Sequence, residues 1–328
     1  MKNALIIITT FLITTNLVYS ESQNSHRVDS HAPISVMGDH NHKIGEIMAS
    51  YRYMSMDMKD TIEGDKDISS DSIITNKNFM MAPASMQMQA HMIGLMCGLT
   101  SKSTVMIMGA YKLNSMESKN SMGMKMSMDT SGISDPAISV INTIKKTSNS
   151  SWVGQVGLTL PVGSINETNN SMRVPYPMQM GSGTWDIIVG TTGFYFFETL
   201  SFGGALNTKL RTGKNKYNYR LGNTLSMSAW IAKNVTHAWS ISSKLMRYSN
   251  DDISGGDSSL NLMSSPTTSS NIGNVLYTLS VGTQVKFKSF FDLGARLGFD
   301  FILPIYQHSD GIQMKHSQRF VVGYQQNF

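Results

Sequence analysis

The chain has 328 residues with a net charge of +5, and only 15% of its residues are Asp, Glu, Lys or Arg, against about 25% in a typical soluble domain. Its aromatic content of 9% argues against a disordered chain, and no apolar stretch after the first twenty residues is long enough for a transmembrane helix. We therefore expect an all-β protein that faces an apolar medium, and the scattered basic residues give no support for nucleic-acid binding.

Residues 1–20 have the pattern of a secretory signal peptide. Lys2 supplies the basic start, residues 4–18 form the apolar core, and cleavage after Ser20 would make Glu21 the first mature residue. The alternative is an N-terminal membrane anchor. Cys97 is the only cysteine, which excludes an intramolecular disulfide. Export without disulfides fits a bacterial envelope protein.

Residues 21–44 precede the first strand and form either a periplasmic segment or a plug. From residue 45 onward the chain contains twelve runs with strand character. The run from Trp152 to Val162 alternates apolar and small or polar residues with a period of two, so that one face meets an apolar medium. The predicted strands are roughly 45–57, 84–99, 103–114, 136–147, 151–162, 184–196, 199–211, 216–231, 235–248, 272–287, 289–302 and 318–328.

The connections between these strands alternate between short and long, which distinguishes a membrane barrel from a soluble sandwich. The predicted long connections are 58–83, 115–135, 163–183, 249–271 and 303–317. Outer-membrane barrels have short periplasmic turns and long extracellular loops, and their strands need about 9–11 residues to cross the bilayer. We therefore predict a transmembrane antiparallel β-barrel of about twelve strands over 45–328, in contact with outer-membrane lipid and with both termini on the periplasmic side.

The polar side chains of these strands fall repeatedly on one parity, which we assign to the lumen because a Lys or Arg in the bilayer centre costs about 2–4 kcal/mol. Two interpretations follow: a channel for passive passage of small solutes, or a closed structural or surface-recognition barrel in which opposite charges pair. The predicted lumen residues are Glu46, Arg52, Gln87, Gln89, His91, Asp186, Lys209, Arg211, Arg220, Lys244, Asp292, Arg296, Asp300 and Arg319.

Methionine and histidine suggest a third interpretation, an envelope protein that binds or moves copper. Thioether sulfur is a soft ligand that selects Cu(I), and imidazole also binds copper. The candidate ligands are His31, Met37, His40, His42, Met122, Met124, Met126 and Met128. The alternative is that methionine is an apolar filler. On the second predicted strand we place the side chains of Met86, Met88, Met92 and Met96 against lipid.

The sequence contains none of the common catalytic motifs: no G-x-S-x-G, H-E-x-x-H, phosphate-binding loop or C-x-x-C. We expect a protein that is not an enzyme, and copper is the only cofactor that its residues suggest.

Several segments carry a resemblance to a known family. They are 31–40 (HAPISVMGDH), 51–54 (YRYM), 131–135 (SGISD), 160–165 (LPVGSI), 175–184 (PYPMQMGSGT) and 303–307 (LPIYQ). Over 31–328 the chain resembles bacterial outer-membrane barrels labelled "transporter" or "meta-pathway phenol-degradation" proteins. The resemblance implies a barrel in the outer membrane and identifies no substrate.

The end of the chain resembles the signal by which the barrel-assembly machinery recognises its substrates. Phe328 is the last residue, and Phe320, Val322 and Tyr324 share its parity. Gln326 lies on the same face, and its polar side chain departs from the apolar pattern of this signal.

Overall fold

A computed structural model of the protein describes residues 27–77, 79–260, 264–289 and 293–328. The predicted signal peptide and the predicted lumen residue Asp292 lie outside the described residues. Within the described ranges, no helix has the length and apolarity that a membrane crossing requires.

The described residues are predominantly extended. The strands are β1 (Ile47–Gly64), β2 (Lys66–Ile68), β3 (Met81–Gly98), β4 (Ser103–Asn120), β5 (Lys125–Ile133), β6 (Ala137–Lys146), β7 (Ser150–Thr159), β8 (Thr168–Asn169), β9 (Met172–Arg173), β10 (Asp186–Phe196), β11 (Leu200–Arg211), β12 (Tyr219–Arg220), β13 (Thr224–Asn234), β14 (Trp239–Asn250), β15 (Ser254–Gly255), β16 (Asn274–Lys288) and β17 (Gly294–Asn327). One α-helix, α1 (Ser70–Asn76), lies in the connection from β1 to β3. The 3-10 helices are Val28–Ser30, Tyr176–Met178, Ser265–Thr267 and Ser269–Asn271.

Eleven of these strands form a closed antiparallel barrel. Their order around the ring is β1-β3-β4-β6-β7-β10-β11-β13-β14-β16-β17, and β17 pairs with β1 to close it. Strand β5 continues the pairing of β4 beyond the ring, and β2 pairs with the far end of β1. Closure satisfies the backbone hydrogen bonds of every strand, which a wall exposed to lipid requires.

Strand β17 is 34 residues long and makes two passes through the wall. Residues 294–309 pair with β16, and residues 309–327 pair with β1. The two halves lie side by side, because Gln307 and His316 are joined by two hydrogen bonds of 2.8 Å and because Gly298 and Gly323 both lie against the side chain of Ile34. The wall is therefore crossed twelve times, in agreement with the predicted barrel of about twelve strands.

The two rims of the barrel differ as predicted, except that the connection after β11, which the sequence suggests is short at 212–216, is long. Ile47 and Phe328 exchange backbone hydrogen bonds of 3.4 and 2.7 Å, so that both ends of the barrel chain lie at one rim. At this rim the connections 99–102, 147–149, 197–199 and 235–238 are short, whereas 160–185, 212–223 and 251–273 at the other rim are long. We call these the periplasmic and the outer rim.

Three predicted long connections are shorter than expected because the strands continue beyond the membrane. Strand β1 extends to Gly64, β4 and β5 form a long hairpin over much of 115–135, and β17 remains extended throughout 303–317. The lipid-facing pattern ends where both faces meet water. There Asp57 accepts hydrogen bonds of 3.0 and 3.1 Å from Gln87 and Gln318.

The outside of the wall carries an apolar belt. On β7 the side chains of Trp152, Val156 and Leu158 are exposed, while Gln155 and Thr159 on the other parity are buried. Trp185, Tyr195, Trp239 and Tyr51 are also exposed, as expected of aromatic residues at membrane interfaces. This is the architecture of a bacterial outer-membrane protein.

Candidate functional site: the barrel lumen

Residues 27–44, which we call the N-terminal segment, lie inside the barrel. At the periplasmic end the Arg27 guanidinium donates to Asp29 at 2.7 and 2.8 Å and to the carbonyl oxygens of Glu198 and Leu200. The amide of Asn234 donates to the same Asp29 carboxylate at 2.8 Å. These contacts fix the start of the segment to the β10–β11 turn and to the end of β13.

The middle of the segment reaches the charged wall. Arg52 Nε donates to the Ile34 carbonyl oxygen at 3.1 Å. The Ser35 N–H donates to Asp300 Oδ2 at 3.2 Å, the Ser35 hydroxyl donates to the same oxygen, and Lys244 Nζ donates to the Ser35 hydroxyl oxygen. Lys244 Nζ also lies 3.8 Å from Asp300 Oδ2, and both side chains are buried.

The opposite side of the segment packs on apolar side chains. Ala32 and Val36 form a buried cluster with Phe194, Ala205 and Trp230, from β10, β11 and β13. The segment then crosses to β4, where the His42 N–H donates to Thr104 Oγ1 at 2.8 Å, before β1 begins at Ile47. Because it contacts strands around most of the ring, the N-terminal segment lies across the lumen.

Most of the predicted charged lumen residues lie on the inner parity. Arg52, Lys244, Arg296, Asp186 and Asp300 are buried. Lys209, Arg211 and Arg319 are half-buried on the same parity of their strands, and Glu46 is half-buried at the periplasmic rim just before β1.

Two groups of predicted lumen residues are elsewhere. Gln87, Gln89 and His91 lie on the outer parity of β3, where the His91 ring meets the exposed Tyr51 hydroxyl at 2.7 Å. The inner parity of β3 is instead apolar, because it faces the N-terminal segment and other methionines rather than water. Arg220 lies in β12, which pairs with β15 outside the barrel wall, since the predicted strand at 216–231 begins only at Thr224.

The methionines that we assigned to lipid therefore line the lumen. They belong to a methionine wall, defined as the inward-facing methionines of β1, β3 and β4. Its members are Met48, Met54, Met56, Met58, Met86, Met88, Met92, Met96, Met106, Met108 and Met116. Directly paired positions form two rows across the three strands. The inner row is Met48, Met96 and Met106, and the outer row is Met58, Met86 and Met116.

Three of the predicted metal ligands, His31, His40 and His42, come together beside the inner row. The ring centroids of His31 and His40 are 4.0 Å apart, and those of His40 and His42 are 4.7 Å apart. Met37 lines a void of about 10 Å³ together with His40 and the methionine wall. The other predicted ligands lie away from this cluster, because Met122, Met124 and Met126 are exposed in the β4–β5 hairpin and Met128 packs against the outer row.

Burial favours the neutral forms of His31 and His42, whereas neighbouring groups favour the charged forms of Asp39 and Glu46. Burial lowers the pKa of both His31 and His42. Burial by itself raises the pKa of Asp39, but the charge of His40 and its hydrogen bond outweigh this and hold that pKa below its usual range. The hydrogen bond from His42 lowers the pKa of Glu46 to about 2.

A larger cavity of about 540 Å³ lies in the outer half of the lumen. One side is lined by methionines of the outer row, and the other carries Lys112, Lys209 and Arg211. The connection 160–185 folds over it, held by Asp135, whose carboxylate accepts hydrogen bonds of 2.7–2.8 Å from Gly163 and Ser182. Sequence reasoning missed this cavity and its Lys112, whose neighbours on β4 are mainly apolar.

Of three solved structures that the chain resembles, one has a TM-score above 0.5 and supports the fold. An outer membrane channel from Pseudomonas putida F1 has a TM-score of 0.62 at 13% identity, over 90% of this chain and 100% of the other. A FadL homologue from Pseudomonas aeruginosa has a TM-score of 0.43 at 10% identity, over 87% of this chain and 90% of the other. The toluene transporter TodX of P. putida has a TM-score of 0.40 at 10% identity, over 89% of this chain and 93% of the other.

No curated protein sequence matches the chain significantly. A family model described as "Putative MetA-pathway of phenol degradation" matches residues 99–315, which is more than half of the chain. The chain therefore belongs to this family of outer-membrane barrel proteins.

Proposed function

We propose that the protein is a channel for the passive passage of small solutes across the outer membrane, and that the N-terminal segment closes its lumen. The observation that carries this proposal is the division of the lumen into an outer cavity of about 540 Å³ and an inner half crossed by the segment. A cavity of this size accommodates a small organic molecule. The segment is a plug, attached largely by hydrogen bonds and one ion-pair network.

The charge of the lumen favours anionic solutes. The inward-facing cations of the described strands include Arg52, Lys112, Lys209, Arg211, Lys244, Arg296 and Arg319. Asp186 and Asp300 oppose them from the inner parity of the strands, Asp135 lines the outer cavity, and Glu46 lies at the periplasmic rim. The N-terminal segment carries Asp29 and Asp39 against Arg27 and Lys43, so that displacing it leaves the basic surplus of the wall in place. A ring of positive side chains favours anions.

Current measurements in a planar bilayer test this function. Protein purified in detergent and folded should produce discrete conductance steps, and its reversal potential under a KCl gradient should have the sign of an anion-selective channel. Lys209→Glu combined with Arg319→Glu should shift that potential toward cation selectivity. Lys125→Glu, on the exposed β4–β5 hairpin, is the matched control and should leave it unchanged. Folded, heat-modifiable protein that never conducts would favour a structural or surface-recognition barrel and overturn the proposal.

A further inference from the structure

Two imidazole nitrogens of the N-terminal segment lie close to each other. His40 Nε2 lies 3.1 Å from His42 Nε2. Nε2 atoms that each lie about 2.0 Å from one metal ion in tetrahedral geometry are about 3.3 Å apart. The observed separation is therefore close to that of two ligands of a single ion.

Carboxylates fix the orientation of both rings. His40 Nδ1 lies 2.8 Å from Asp39 Oδ1, and His42 Nδ1 lies 3.4 Å from Glu46 Oε1. A charged carboxylate only accepts hydrogen bonds, so Nδ1 of each ring is the nitrogen that carries a proton toward it, which directs Nε2 toward a metal ion. Metal-bound histidines in proteins are oriented in this way. Glu46 is itself held by the Lys43 N–H at 3.0 Å and by Asn327 at 3.1 Å.

Thioether groups line a small void beside His40. This void of about 10 Å³ is lined by five methionines, Met37 from the segment and Met48, Met96, Met106 and Met108 from the wall, together with Asp39, Ser50 and Arg52. Met48, Met96 and Met106 are also mutually packed and buried. Gly94 makes space for this group, because a Cβ there would lie 3.2 Å from Met108 Cγ.

We propose that His40 and His42, together with thioethers of the inner methionine row, form a Cu(I)-binding site. Cu(I) combines imidazole with thioether ligands, whereas a site for Zn²⁺ takes His, Cys or carboxylate ligands. Asp39 and Glu46 are positioning residues that act through the histidines. The site is independent of the proposed channel function, since it needs the docked segment and not a conducting lumen.

The methionine wall also gives Cu(I) a route to this site. Met56, Met58, Met86 and Met88 line the outer cavity. Further methionines continue along β1, β3 and β4 to the inner row. Thioether ligands exchange Cu(I) through transient coordination, so that an ion entering from the outer rim meets soft ligands along the whole wall. The exposed methionines of the β4–β5 hairpin are not part of the site.

Anaerobic Cu(I) titration of the folded full-length protein tests the proposal, with bicinchoninate as a coloured competitor. We expect one tightly bound Cu(I) per chain with mixed nitrogen and sulfur coordination in X-ray absorption spectra. His40→Ala with His42→Ala should weaken binding by more than about 100-fold, since removal of positioning groups alone costs about 10–100-fold. Glu46→Gln should fall within that smaller range. Met96→Leu with Met106→Leu should weaken binding and reduce the sulfur contribution to the spectrum.

Two control variants separate the site from general methionine content. Met227→Leu changes an exposed methionine on the lipid side of β13, and Met122→Leu with Met124→Leu changes the hairpin. Both should bind Cu(I) as the unmodified protein does. Heat modifiability in gels verifies that every variant is folded, and His40→Asn with His42→Asn replaces the alanine pair if that pair does not fold. Absence of tight binding, nitrogen-only coordination, or full binding by the folded histidine variants would overturn the proposal.

Discussion

The attachment of the plug to the barrel wall can be tested most directly at Asp300. Its carboxylate accepts two hydrogen bonds from Ser35 and faces Lys244 at 3.8 Å, with both ionic side chains buried. A hydrogen bond to a charged group contributes about 1.5–3 kcal/mol. The change Asp300→Ala therefore weakens docking of the segment by about 3 kcal/mol or more.

A loss of this size raises the population of the undocked segment about 100-fold, because each 1.4 kcal/mol corresponds to a factor of ten. Single-channel recording should report this as a comparable increase in open probability. The variant also leaves Lys244 without its buried partner, which typically costs about 3–5 kcal/mol of folding stability. The double change Asp300→Ala with Lys244→Ala should recover part of that stability in denaturant unfolding while still opening the channel.

Asp67→Ala is the matched control for Asp300→Ala. Asp67 pairs with Lys315 at 2.7 Å, but both side chains are exposed at the outer rim, where ion pairs contribute about 0–1 kcal/mol. It should change neither open probability nor stability. An Asp300→Ala protein that is folded and has an unaltered open probability would refute the assignment of the segment as the gate.

Three further predictions concern packing, the outer loops and the strand parity. A Cβ at position 298 would lie 2.8 Å from the docked segment, so Gly298→Leu should lower the stability measured by unfolding in detergent by about 1–3 kcal/mol. Gly294→Leu is the control, because a Cβ at position 294 meets nothing within 4 Å, and it should leave the stability unchanged. Asp135→Ala should accelerate proteolysis within 160–185. An unchanged cleavage rate would contradict the role of Asp135 in holding this connection over the cavity. Cys97, on the outer parity of β3, should react with a lipid-soluble maleimide and resist a charged, water-soluble one in liposomes.

The barrel itself follows from the sequence because strand periodicity and loop asymmetry are local signals. Arg52, Asp186, Lys244 and Asp300 lie on the predicted parity, since a charge in lipid is costly wherever it occurs. Charged side chains do not determine which parity of β3 faces the lumen. The plug gives the lumen an apolar region, so that Met86 and Met96 are compatible with either face, and only the three-dimensional position of the segment decides between them.

Local sequence patterns also do not predict that His40 and His42 lie close to the methionine wall. The sequence places the histidines before the first strand and the methionines within three strands, and their meeting depends on a crossing of the segment to β4 that no short motif encodes. Likewise, the length of β17 was underestimated because its outer part carries polar residues on both faces.

The position of Ile34 has a consequence for how the barrel is assembled. Its side chain lies against Gly298 and Gly323 of the two halves of β17 and packs with Met54 of β1, and so it spans the seam where the last strand meets the first. Seam pairing joins residues that are far apart in sequence and is entropically the costliest step of closure. A segment that binds both edges brings them together before they pair. We therefore expect removal of residues 27–44 to slow the refolding of the barrel as well as to open it.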